Sequence, residues 1–341
     1  MMRCLALARL GAGNVAPNPM VGCVIVCCGK IIGEGFHQEY GESHAEVNAV
    51  NAVANAELLK ESTLYVSLEP CAHHGLTPPC SDLIVEKQIP RVIIGTVDPF
   101  SEVAGKGIEK LRRAGVEVEV GMLEEECREL NKRFFTFHEK KRPYIILKWA
   151  QTPDGFIDMD RGRENFGEPT WITGSLALRL VHKIRSEEGA ILVGANTAEK
   201  DNPSLTVRHW AGNNPLRAVT DKNLRLPKNL NLFNGSAKTL VFNSLREEET
   251  EAVDWIKIPF GENSIPQILN ELHCRKVLSV IVEGGKQLLE SFIRAGLWDE
   301  AHVFTGTGFF HSGIRAPEFT GTLTGSEPLD ADRLNIFRNR T

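Results

Sequence analysis

The sequence predicts two consecutive α/β domains. Three observations predict it: strands and helices alternate before residue 139, a charged cluster with a proline interrupts them at Glu139–Pro143, and a second alternating series follows. The boundary is set between residues 141 and 142, giving domains of residues 1–141 and 142–341. A chain of 341 residues is long enough to build both cores.

In the first half, the apolar run Val21–Cys27 reads as a strand. Ala45–Leu59 is rich in Ala and Val at helical spacing and reads as one helix, with Ser43 as its cap. Thr63–Leu68 is β-branched and apolar, hence a strand that Glu69-Pro70 ends. Ser81–Glu86 reads as a helix, Val92–Thr96 as a strand, Gly107–Ala114 as a helix, Val116–Val120 as a strand and Glu124–Phe137 as a helix. In the second half, Tyr144–Lys148, Ala190–Val193, Leu216–Thr220, Thr239–Phe242 and Val277–Val282 read as strands. Leu176–Arg185, Ile265–Leu272 and Gln287–Ala295 read as helices. No internal repeat relates the halves.

Composition narrows the function classes. A net charge of −5 gives no overall basic surface for nucleic acid. No stretch approaches a membrane span, and the first residues lack a signal-peptide pattern. Eight cysteines without an extracellular signal are expected to be reduced thiols in the cytoplasm. A homo-oligomer is compatible with this composition.

Chemistry concentrates at His44-Ala45-Glu46, Pro70-Cys71 and Cys80. One imidazole and two thiolates suit Zn²⁺ and leave a fourth position for water. Glu46 is then free to move protons. Zinc deaminases carry this order, H-x-E followed by P-C-x-x-C, but here Ala72–Pro79 makes the second spacer longer. Residues two apart on a helix diverge, so His44 and Glu46 converge only if His44 lies at the irregular start of its helix. The other cysteines, Cys4, Cys23, Cys27, Cys28, Cys127 and Cys274, read as core or surface residues.

The second half has weaker signals. A strand, Glu283-Gly284-Gly285 and an amphipathic helix form a turn whose free N–H groups suit a phosphate, or simply a tight packing turn. No G-x-G-x-x-G follows a strand, which argues against a Rossmann site. Asp201 to Arg208 reads as a loop with an acid, a Pro turn and an Arg.

Together these residues resemble the bifunctional riboflavin-biosynthesis deaminase/reductase family. The first half carries Ala16-Pro17-Asn18-Pro19, Ser43-His44-Ala45-Glu46, Glu69-Pro70-Cys71-Ala72-His73-His74-Gly75 and Thr77-Pro78-Pro79-Cys80. The second carries Asp154-Gly155, Trp171-Ile172-Thr173, Asp201-Asn202-Pro203-Ser204-Leu205-Thr206 and Glu283-Gly284-Gly285. The resemblance implies a cytidine-deaminase-like α/β/α domain followed by a dihydrofolate-reductase-like α/β domain. It implies hydrolysis of the exocyclic amine of a diaminopyrimidinone nucleotide, then NADPH-dependent reduction of its ribosyl group to ribityl.

The resemblance also implies roles by position. His44, Cys71 and Cys80 would hold zinc, Glu46 would be catalytic, and Asn18, His37 and His73 would hold the deaminase substrate. Ala150, Trp171, Thr197, Asp201, Gly284 and Gly285 would contact the cofactor. Arg185, Leu205, Arg208 and Glu283 would contact the reductase substrate, with the two arginines as phosphate partners. No residue is assigned as proton donor to the ribose. Leu76, Phe100 and Pro169 depart from the family pattern. The alternative reading is a nucleoside deaminase with a phosphate-binding regulatory second domain.

Overall fold

The computed structural model describes residues 1–72, 78–100, 104–167 and 169–340. The chain divides into two compact units, Met1–Lys141 and Arg142–Thr341.

The first unit is built on β1 (Gly22–Cys27), β2 (Lys30–Phe36), β3 (Ser62–Leu68), β4 (Arg91–Thr96) and β5 (Glu117–Val120). They form a five-stranded sheet in the order β2-β1-β3-β4-β5. β1 runs antiparallel to β2 and β3, whereas β3, β4 and β5 are parallel. The helices are α1 (Met2–Ala8), α2 (Ala45–Asn51), α3 (Cys80–Glu86), α4 (Lys106–Arg113), α5 (Glu124–Leu130) and α6 (Lys132–Lys140). The apolar strand faces supply one core, in which Ile25, Leu64, Val66 and Ile94 pack against Ala49, Ile84 and Leu111. α2 packs on β1 and β2. A Cβ at Gly35 would stand 2.4 Å from Ala49 N, so only a bare Cα lets this helix lie on the strand.

The structure corrects three sequence readings here. Ala45–Leu59 is not one helix. α2 stops at Asn51, and a 3₁₀ turn over Ala56–Glu61 follows. Asn55 accepts the Glu57 N–H at 3.2 Å and caps that turn, which competes with helix continuation. Ser43 is not the cap of α2: His44 occupies that position in an extended conformation, with no side-chain cap bond. Glu124–Phe137 is divided at Asn131, whose buried side chain grips Met20 N and Met20 O, both at 2.9 Å. The strand β2 was missing from the sequence reading. Its two glycines and two charges give it little apolar alternation.

The second unit contains β6 (Tyr144–Gln151), β7 (Phe156–Asp158), α7 (Ser175–Glu187), β8 (Ala190–Gly194), α8 (Ala195–Asp201), β9 (Leu216–Thr220) and β10 (Thr239–Asn243). It continues with β11 (Glu248–Glu249), β12 (Val253–Lys257), α9 (Ser264–Cys274), β13 (Ser279–Val282), α10 (Lys286–Arg294), β14 (Glu300–Thr305), β15 (Ile314–Arg315), β16 (Thr322–Leu329) and β17 (Asp332–Arg338). A ten-stranded sheet runs β11-β12-β10-β9-β8-β13-β6-β14-β17-β16. Its centre, from β12 through β14, is parallel. Strands buried on both faces read as continuous apolar runs, as in Ile145–Leu147 and Ile191–Val193. One face packs Leu147, Leu192 and Val282 with α9 and α10, and the other packs Ile191, Val219 and Ile281. The chain lays β8, β9 and β10 out in one direction, then returns to insert β13 between β8 and β6. Such a reversal opens a crevice at the carboxyl ends of the strands. The edge hairpin β16–β17 and the strand β14 went unread in the sequence. β16 is exposed along most of its length and contains Gly325 and Pro328.

Among the described residues, no helix is long and apolar enough to cross a membrane.

Candidate active sites in the two units

The first site forms where α2, the end of β3 and α3 meet. His44 at the extended N-cap has ψ of 164°, which turns its ring out of helical register. That is the irregular start that convergence with Glu46 required. His44 Nδ1 lies 3.5 Å from Cys71 Sγ and 3.3 Å from Cys80 Sγ. All three ligand atoms lie within 4.8 Å of one another. Tetrahedral zinc with bonds of about 2.1–2.3 Å needs ligand atoms roughly 3.6 Å apart, so the set fits that ion. The Cys80 N–H donates to Cys71 Sγ at 3.2 Å. Hydrogen bonds from Cys80, helped by His44, hold the Cys71 thiol far below its usual range, and the bond to Cys71 raises His44. Zinc binds the thiolate and the neutral imidazole, so metal binding at this set releases protons.

Glu46 is 3% exposed on the first turn of α2. Burial raises its carboxyl, which favours a group that can carry a proton. His37 is also buried, and its ring stands edge-on to His44 at 5.4 Å. Its Nδ1 is 3.1 Å from the Ser43 carbonyl, so Nδ1 carries the proton and donates. The other nitrogen then accepts from Asn18 Nδ2 at 3.1 Å. Burial lowers His37, which favours its neutral form. Asn18 and His37 are thus one hydrogen-bonded pair beside the metal set. His73, the third substrate residue inferred from the sequence, and Leu76 lie outside the described residues.

Sequence reasoning missed Glu69. Its buried carboxylate accepts four backbone N–H groups, from Asp98, Gly105, Gly107 and Ile108, at 2.9–3.3 Å. It ties the end of β3, next to Cys71, to the loop before α4. A glutamate before a Pro-Cys turn was the available signal.

The second site is a cavity of about 690 Å³ at the carboxyl ends of β6, β8, β9 and β13. Ala150, Thr197, Asp201, Glu283, Gly284 and Gly285 line it. Gly284 has φ of 110°, a value L side chains rarely adopt, and Gly285 is the N-cap of α10. Gly194 N–H donates to the Gly284 carbonyl at 3.1 Å, which fixes the turn beside Thr197. Arg161, missed in the sequence, bonds Asp158 at 2.8 Å and Asp201 at 2.5 Å, so Asp201 is held in place. Trp171 is 65% exposed and does not line the cavity.

Arg185 and Glu283 meet in a fork, with Nε to Oε1 at 2.9 Å and Nη2 to Oε2 at 2.6 Å. Burial opposes the Glu283 charge, yet Arg185 and Lys148 hold its carboxyl down at about 2. Lys148, also missed in the sequence, lies 3.9 Å from Glu283 and lines the cavity. Burial lowers its ammonium, so it is a group that can release a proton. Arg208 is exposed and donates to Ser204 Oγ at 2.9 Å. It stands in the field of Arg185 but outside the cavity lining. Leu205 is buried in the core beside Ile191 and Val219, with φ of 52°, so it shapes the turn that its neighbours share. Three cations and one carboxylate leave this region suited to an anion.

Residues 143–313 match the family model for the RibD C-terminal domain. Residues 1–96 match the cytidine and deoxycytidylate deaminase zinc-binding region. The riboflavin biosynthesis protein RibD of Aquifex aeolicus is 41% identical over 320 residues, covering 92% of this chain and 88% of that protein. The Escherichia coli RibD is 35% identical over 347 residues, covering 96% and 92%. The crystal structure of a diaminohydroxyphosphoribosylaminopyrimidine deaminase/5-amino-6-(5-phosphoribosylamino)uracil reductase from Thermotoga maritima superposes with a TM-score of 0.88 at 38% identity, covering 99% and 97% of the two chains. Acinetobacter baumannii RibD superposes with a TM-score of 0.89 at 32% identity, covering 100% and 98%.

Proposed function

Because the chain belongs to the RibD family of riboflavin-biosynthesis proteins, which are deaminases and reductases in one chain, we propose a two-step reaction on one pyrimidine nucleotide. The first unit deaminates a diaminopyrimidinone carrying a phosphoribosylamino group. The second reduces the ribosyl group of the product to ribityl with NADPH. The meeting of His44, Cys71 and Cys80 beside buried Glu46 carries the reading.

His44, Cys71 and Cys80 would hold zinc, which would supply Lewis-acid activation of water at neutral pH. Glu46 takes the proton from the attacking water and passes protons to the ring nitrogen and the departing amine, which leaves as ammonia. Its burial keeps that proton close to the carboxyl. Asn18, His37 and His73 orient the ring. The neutral His37 keeps Asn18 in one amide orientation.

In the second unit, Ala150, Thr197, Asp201 and the Gly284-Gly285 turn bind NADPH, with Trp171 at the rim. The N–H groups at the start of α10 would be the donors for the dinucleotide phosphates. Arg185 and Glu283 orient the substrate, and Arg208 meets its phosphate. Lys148 supplies the proton that the opened ribose needs. The thiols, all free, suit a cytoplasmic enzyme.

The test incubates the full chain with the diaminopyrimidinone nucleotide, with and without NADPH, and reads products by mass spectrometry. We expect the mass change of deamination without NADPH, and two further hydrogens with it. Deamination with no NADPH oxidation under any condition would favour a regulatory second unit instead.

A further inference from the structure

α7 carries two buried side chains three residues apart, His182 and Arg185, and both hold the loop that ends at Arg208. Arg185 Nη1 reaches the Thr206 carbonyl at 3.4 Å while its other nitrogens hold Glu283. His182 Nδ1 accepts the Arg208 backbone N–H at 3.0 Å. Upstream the loop is anchored by two Asn202–Asn231 bonds at 2.7 Å and by the buried Leu205 side chain, so His182 and Arg185 act on the stretch that follows Leu205. The loop contains left-handed Asn202 and Leu205, and Val207 N–H bonds Asn214 Oδ1 at 2.8 Å.

His182 is fully buried, yet no role described above uses it. Because Nδ1 accepts, the proton sits on Nε2. That N–H is buried without a hydrogen-bond partner among the described residues, and the ring stands edge-on to His209 at 4.8 Å. An apolar side chain of similar size would avoid the unmet donor, so packing alone does not account for an imidazole here. What an apolar residue cannot do is accept the N–H of Arg208.

We propose that His182 is a positioning residue of the reductase: its Nδ1 fixes the main chain at Arg208 and so presents that guanidinium to the substrate phosphate. The inference rests on the reading of Arg208 as the phosphate partner. Its geometry needs an acceptor at the Nδ1 position and nothing at Nε2.

That requirement defines the test. Asparagine places its amide oxygen near Nδ1, whereas glutamine reaches the Nε2 position. Full-length His182→Ala, His182→Asn and His182→Gln are compared for NADPH-dependent reduction of the deaminated nucleotide. Losing one hydrogen bond that aligns a charged contact should raise KM in His182→Ala about tenfold, with kcat and NADPH affinity nearly unchanged. His182→Asn should return KM to within about threefold of the parent, while His182→Gln should resemble Ala. On the dephosphorylated analogue the three variants should match the parent. If His182→Ala does not fold, the Asn and Gln pair still decides. Equal KM in Asn and Gln, or equal losses on both substrates, overturns the proposal. A parent protein that never reduces the nucleotide overturns the functional reading instead, and an Arg208→Ala variant with unchanged KM overturns the phosphate assignment.

Discussion

Arg185 and Glu283, 98 residues apart in sequence, close a two-bond fork at 2.9 and 2.6 Å in the buried floor of the second unit. The sequence offered each as a separate substrate contact. The fold makes each the other's partner, so neither side chain is free to act alone.

That pairing sets the first expectation. Glu283→Ala leaves a buried guanidinium uncompensated, which costs about 3–5 kcal/mol. Urea unfolding of the full chain measures it. The double variant Arg185→Met with Glu283→Leu should recover much of the loss, since it removes both charges. A single-variant loss under about 1 kcal/mol would mean that the pair behaves like a solvated surface pair.

Metal content tests the first site. Elemental analysis after mild dialysis should find about one zinc per chain. Cys71→Ser should lose most of it. Unchanged zinc in that variant would remove Cys71 from the ligand set.

Glu46→Gln separates ligand from proton carrier. It should keep zinc but lower deamination by on the order of 10² or more. Reduction of already deaminated substrate should be unchanged. A variant with parent-like deamination would refute the assignment.

Arg208→Ala removes a charge-assisted contact worth about 1.5–3 kcal/mol. The reductase KM should rise roughly tenfold to hundredfold, with NADPH affinity barely changed. The reverse pattern, weaker NADPH and steady KM, would mean that Arg208 reads the cofactor.

Burial, then the charges of Arg185, His209 and Arg208, hold His182 down to about 4, with Glu283 pulling the other way. An unfolded histidine titrates near about 6.5. Folding therefore favours the neutral ring: its contribution is complete above about pH 6.5 and is lost as pH falls toward 4. The melting temperature of the parent should fall more steeply over that window than that of His182→Asn. Parallel declines would show that other groups set the acid sensitivity.

His44, Cys71 and Cys80 were legible as a metal-ligand set from residue type and order alone, and the structure brings their ligand atoms together. The sequence also determined most of the core strands, β1, β3, β4, β6, β8, β9, β10 and β13, whose apolar runs are local signals, but not β12 or β14, which are buried as well. The division near residue 141 was legible for the same reason: a charged, proline-bearing break separates two apolar supplies. What only the tertiary structure decided is which polar groups meet. Asn131, where α5 gives way to α6, holds both main-chain polar groups of Met20, 111 residues away. Arg185 turns to Glu283, and His182 holds Arg208, across separations with no local trace. Strands such as β2 and β16 were invisible because glycine, charge and exposure erase the alternation that marks a strand. Periodicity and motif are properties of neighbours along the chain. Pairing between distant polar side chains is a property of the packed core that brings them together.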